Sequence, residues 1–139
     1  MNIKVAFVLL LSLAGSLSLN AQTKDDDQKQ KEKDFYDSIQ RRIEQEERLL
    51  NLEGWQVFYL DSIYMHDFKA MNDEFESLNK SKVQNYDIYI EAEDKWKEQM
   101  YQSVKKILND EQWKKYLKNG ASGEKKARDK RAEKRRGEK

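Results

Sequence analysis

Between Phe35 and Leu117 apolar residues recur at steps of three and four, the spacing that lines one face of an α-helix. A first run, Phe35, Ile39, Ile43 and Leu50, has Arg41, Arg42, Glu44, Glu47 and Arg48 mostly around the rest of the turn and predicts a helix ending near Asn51. A second, from about Gly54 to Asn79, places Val57, Leu60, Tyr64, Phe68, Met71, Phe75 and Leu78 in one stripe. The third is expected to open at Ser81-Lys82-Val83-Gln84, where a Ser N-cap and a Gln three residues on can satisfy each other's backbone donors. Its face runs Val83, Tyr86, Tyr89, Ile90, Trp96, Met100, Val104 and Ile107, and a short fourth helix follows over residues 110–118.

The chain has no proline, and Gly54 is the only glycine between Gly15 and Gly120, so almost nothing interrupts these periods. The fold class they predict is all-α. The short joint after Asn79 makes the second and third helices antiparallel neighbours, a long hairpin with a flanking N-terminal helix and a short C-terminal one. One domain, residues 34–118, accounts for the patterning. Helices of this length bury one stripe each, so a homodimer is the expected way to cover what remains.

The two ends read differently. In MNIKVAFVLLLSLAGSLSLNAQ, Lys4, the apolar run Val5 to Leu13 and Leu19-Asn20-Ala21 have the layout of a signal peptide, residues 1–21, cleaved near Ala21. The apolar run is shorter than the roughly 20 residues that a spanning helix needs. Residues 22–33, QTKDDDQKQKEK, carry no large apolar side chain and are expected to be a disordered polar lead-in. Residues 119–139 hold nine Lys and Arg against four Asp and Glu and are expected to form a flexible basic tail. Its affinities outside the cytoplasm would be weak contacts with anionic surfaces. Nucleic acid is not the expected partner, because export opposes it and the tail has no aromatic residue to stack on bases.

Charge and chemistry narrow the function classes. No cysteine is present, which excludes disulfides, thiol catalysis and thiolate metal sites. His66 is the only histidine and has no second soft ligand, so neither a metal nor another cofactor is expected, nor is an enzyme: a thin helical hairpin shelters no pocket. Glu93 and Lys97, in the middle of the third helix's apolar face, read as a side-chain pair at spacing four. Trp55, Phe58, Tyr59, Ile63 and Met65 lie off the main stripe of the second helix. They imply a second apolar surface, packed on other helices or a second subunit, or open to partner chains, which aromatic and Met side chains suit. Trp96 and Met100 are candidates for the same surface.

One phrase occurs twice. ILNDEQWKKYL, Ile107 to Leu117, echoes LNLEGWQVFYL, Leu50 to Leu60. Aligning Leu52, Glu53 and Gln56 with Leu108, Asn109 and Gln112 makes each copy an apolar residue, a cap, two residues and a glutamine. That is the grammar of a helix start: Asn109 caps Gln112, Gln112 reaches back, and Leu108 staples onto Trp113, while Glu53 is the weaker cap and Val57 takes the stapling place.

With these motifs the stretch Leu50 to Leu117 resembles the Spy/CpxP group of exported bacterial proteins, marked by two L-T-x-x-Q motifs. Leu52 and Gln56 match the first motif and Leu108 and Gln112 the second, with Glu53 and Asn109 standing where the threonines would be. The resemblance implies an all-helical, curved dimer in the periplasm that binds unfolded or partly folded proteins without ATP. Relatives that act as envelope-stress regulators imply the alternative of a structural or regulatory interaction module with one partner, and metal-responsive relatives imply a further one, a metal-responsive periplasmic protein.

Overall fold

A computed structural model describes residues 3–137, with side chains from Lys24 onward. Among the described residues there is no strand, and the fold is all-α. The helices are α1 (Ile3–Leu50), α2 (Gly54–Lys80), α3 (Tyr86–Ile107), α4 (Asp110–Tyr116) and α5 (Ser122–Gly137), with a kinked segment, Leu117–Ala121, before α5. No helix among the described residues is long and apolar enough to cross a membrane. The side chains of the expected signal peptide, residues 1–21, lie outside the described residues.

The chain forms two units, residues 1–38 and 39–139. In the first, the polar lead-in is helical, where disorder was expected. From Lys24 onward its side chains are exposed, and pairs one turn apart support it: Lys29 Nζ lies 2.6 Å from Asp25, and the Gln30 amide donates to Asp34 at 2.8 Å. With neither Gly nor Pro between residues 22 and 53, no backbone preference breaks the helix.

The second unit is built on the α2–α3 hairpin. Leu60 and Tyr64 of α2 and Ala92, Met100 and Val104 of α3 are buried, together with Ile39, Ile43 and Leu50 from the last three turns of α1. At 1.5 Å per residue α2 is about 40 Å long and α3 about 33 Å. The buried face of α2 also carries Gln56 and Asp67, and that of α3 carries Asp94. Each has a partner, because no buried side-chain nitrogen or oxygen among the described residues is left unsatisfied.

The hairpin turn differs from its sequence reading. Ser81 closes α2 instead of opening α3. Lys82 takes a left-handed conformation, φ 55°, and the Val83 N–H reaches back to the Leu78 carbonyl at 3.1 Å, satisfying carbonyls at the end of α2. Asn51 does the same at the end of α1, with φ 51° and the Leu52 N–H on the Glu47 carbonyl. α3 then starts at Tyr86, capped by the Asn85 side chain, which accepts from the Asp87 N–H at 3.0 Å. Asn caps as well as Ser, and Asp87 adds a negative charge at the positive end of the helix dipole. Val83 thereby lies outside α3, half-buried, and Tyr86 at its first turn is exposed.

The expected flexible tail is also helical. Asn119 and Gly120 kink the chain, Gly120 at φ 115°, and α5 continues to Gly137. Eight basic and three acidic residues face one another at helical spacing, and acidic partners on α3 receive the excess.

Asn85→Ala is expected to lower unfolding stability in urea by about 1 kcal/mol, whereas Ser81→Ala stays within about 0.5 kcal/mol. The opposite order would place the start of α3 at Ser81.

Candidate functional site

The two motif copies meet. Gln56, at the third position of α2, and Gln112, at the third position of α4, are buried and face one another. The Gln56 amide donates to Gln112 Oε1 at 2.7 Å, and the Gln112 amide donates to Gln56 Oε1 at 3.0 Å. Each oxygen also accepts from the backbone of its own N-cap, Glu53 N–H at 2.9 Å and Asn109 N–H at 3.1 Å. The remaining amide hydrogens cross over to carbonyls at the end of the helix before the other glutamine's: Gln56 to Ile107 at the end of α3, 2.8 Å, and Gln112 to Asn51 just after α1, 3.4 Å. A primary amide has two donors and two acceptor sites, and all are used in both residues. The arrangement is symmetric at an offset of 56 residues, the register that aligns Leu52 with Leu108.

The caps differ as their chemistry requires. The Asn109 side chain accepts from the Gln112 N–H at 2.9 Å. The Glu53 carboxylate instead accepts from the Trp55 indole N–H at 2.8 Å, at the foot of an exposed aromatic face. Leu52 and Leu108 are half-buried beside the pair.

That face carries Trp55, Phe58 and Tyr59, with 52%, 67% and 52% of their surface open, values far above those of a core residue. The rings touch edge to face, Trp55–Tyr59 centroids 6.2 Å apart and Phe58–Tyr59 5.7 Å. Ile63 and Met65 flank it, half-buried. Leu49, at the end of α1, is likewise exposed. Trp96 and Met100, expected on the same surface, are elsewhere. Met100 is a core residue, 5% exposed, because the face of α3 that it shares with Val104 packs inward. Trp96 is half-buried, its indole N–H donating to Glu74 at 2.6 Å and its ring 6.5 Å from His66. His66 lies eleven residues beyond Trp55, roughly 16 Å along α2.

His66 is largely exposed, and its Nδ1 is 2.8 Å from the buried Asp67, which also accepts from Gln99 at 2.7 Å. Among the described residues no group of three His, Cys, Asp or Glu could hold a metal ion. Glu93 and Lys97 pair at 2.6 Å.

Buried charges escaped the sequence reading. Glu46 of α1 accepts the Tyr64 hydroxyl at 2.6 and 2.7 Å and the Arg42 guanidinium at 3.2 Å. Burial, then the Glu46 charge, pushes the Tyr64 phenol well above its usual range and the Tyr116 phenol up to about 12. Burial works against the charge on Arg42, yet Tyr64 and Glu46 outweigh it and hold the guanidinium above the ordinary arginine range. Asp94 of α3 is 6% exposed; burial alone would raise its pKa, but hydrogen bonds from Arg131 and Arg135 of α5 prevail and lower it. These partners lie 37 and 41 residues away, and no local spacing announces them.

No family model, curated protein or solved structure matches this chain.

Gln56→Ala and Gln112→Ala are each expected to cost about 2–3 kcal/mol, since each strands an amide and an N-cap. The double variant should cost less than the sum by about 1–2 kcal/mol in a double-mutant cycle; strict additivity would mean that the pair is not coupled. A second check is alkaline. Tyr64 and Tyr116 favour the neutral phenol in the folded state, so their stabilisation persists below the unfolded value near 10 and is lost as pH rises toward about 12. In absorbance titration Tyr64 and Tyr116 should ionise late, with unfolding, and Tyr116→Phe should remove part of that late step. The absence of any late step would contradict the buried cluster.

Proposed function

We propose that this chain is an exported, ATP-independent chaperone-like protein of Spy/CpxP type, which transiently holds unfolded or partly folded envelope proteins. The observation that carries the reading is the exposed Trp55–Phe58–Tyr59 face beside the interlocked Gln56–Gln112 pair. Isolated apolar side chains on a surface need no explanation, but three contiguous large rings, each half open or more, form a contact surface. Their hold on a chain would be non-directional and weak, as transient binding requires. Surrounding mixed charge, 38% of the sequence, keeps such a complex soluble. The leader-like residues 1–21 support export to the periplasm. A homodimer belongs to the same proposal.

A compact aromatic face favours a second reading. Trp55, Phe58 and Tyr59 span little more than one helical turn, a size that fits one partner's apolar side chain in a structural or regulatory module. Pull-down from envelope extract separates the two: many weakly held clients for a chaperone, one stoichiometric partner for a module.

Equimolar protein is expected to suppress the light scattering of a reduced, aggregating client. Trp55→Ser, Phe58→Ser and Tyr59→Ser together should abolish most of that effect while leaving the thermal midpoint nearly unchanged. Scattering that the unaltered chain does not reduce would sink the chaperone reading.

A further inference from the structure

α5 is a helix without the usual reason to dock. Over Ser122–Gly137 its only apolar side chains are Ala127 and Ala132, so hydrophobic burial cannot hold it. Charge does. Arg131 donates to both oxygens of Asp94, at 2.9 and 2.6 Å, and Arg135 adds a third bond at 3.1 Å. Arg128 places two donors on Glu98 at 3.2 and 3.3 Å, and Lys125 lies 3.7 Å from the same carboxylate. Arg128 is 5% exposed and lies over the Tyr101 ring, 5.5 Å from its centroid. The other end of α5 leaves the body through Gly120, whose φ of 115° suits a glycine.

Beneath this helix is an aromatic floor. Tyr64, Phe68, Met100, Tyr101 and Tyr116 line a cavity of about 20 Å³, room for one water, and Arg128 and Glu124 of α5 close it. Arg42 and Lys97 also line it, the Arg42 guanidinium lying over the Tyr64 and Phe68 rings at 5.2 and 5.6 Å from their centroids. Four aromatic rings and a thioether are the composition of an adaptable binding surface, and here a ring of ions seals it.

We propose that α5 is an ion-held latch over a concealed aromatic site, turning about Gly120, and that the site's guest is an apolar, aromatic peptide segment. The nature of the guest rests on the chaperone reading; the latch stands without it. Hydrophobic contact tolerates salt whereas partly exposed ion pairs weaken in it, so ionic strength should open the site. That is opposite in sign to what charge-steered binding would show.

The chain has no cysteine, so Glu91→Cys and Glu133→Cys, both exposed, allow nitroxides to be placed on α3 and α5 of the full chain. Moving from low salt to about 1 M NaCl, where screening reaches a few ångströms, should lengthen the spin–spin distance and raise the fluorescence of neutral Nile red severalfold. Asp94→Asn with Glu98→Gln should produce both changes at low salt, with helix content by circular dichroism confirming folding; Lys126→Gln, an exposed charge, should produce neither. A distance that stays fixed in salt and in the double variant overturns the latch. Lengthening without a gain in Nile red overturns the concealed site. If both change but the scattering of the client does not fall further, the latch holds and the peptide guest is wrong.

Discussion

Two side-chain amides govern the geometry of the helical body. Gln56 and Gln112 each complete the start of their own helix, accept from one another and bind a carbonyl at the end of the helix that precedes the other's. Four helix ends therefore meet at one pair: the last turn of α1, the first of α2, the last of α3 and the first of α4. A helix terminus buried without partners costs free energy for every orphan donor or acceptor, and two glutamines satisfy several at once. Once that junction is made, α2 and α3 have little choice but to run alongside each other to the turn at Asn79–Asn85. Leucine in place of either glutamine would fill the volume, yet leave N-cap donors and facing carbonyls in a dry environment.

Charge is divided between two places with different physics. Around Glu46, carboxylate, guanidinium and phenol are enclosed by Tyr64, Phe68 and Tyr116, where low dielectric strengthens every bond and makes each partner indispensable. Around Asp94 and Glu98 a buried carboxylate and a part-exposed one receive arginines, themselves partly open to solvent at Arg131 and Arg135, from a helix that has almost no apolar surface. The first cluster belongs to the core. The second binds an element that the core does not otherwise hold, and its strength depends on ionic strength.

The aromatic face of α2 stands outside both arrangements. Its rings are placed by the same first turn of α2 that the Gln56 bond anchors, with the Trp55 indole tied to Glu53. An exposed surface mounted on the most constrained turn of the protein is presented without much conformational entropy to lose on contact. On the function proposed above, that rigidity is what would suit Trp55, Phe58 and Tyr59 to recognition.

How much of this was legible depended on the range of the interaction. Helix class, the stripe from Leu60 to Leu78, the Glu93–Lys97 pair and the motif register at Gln56 and Gln112 follow from spacings of three, four and 56 residues that can be read along the chain. Local caps were less secure: Ser81 and Asn85 are nearly equivalent as caps, and the choice fell to the Lys82 turn that closes α2. Periodicity placed Met100 on the apolar face of α3, where it is buried; naming it a surface candidate as well left open what covers that face, which only the packing around it settles. The basic run at the C-terminus has the composition of a solvated tail, and by composition alone it would be one. Asp94 and Glu98, about thirty to forty residues earlier, make it a docked helix. Sequence by itself determined the helical periods between Phe35 and Leu117 and where two of the helices begin, because those depend on neighbours within a turn. Tertiary structure alone decided which charges are buried and which aromatic rings remain in water, because those depend on residues the chain brings together only by folding.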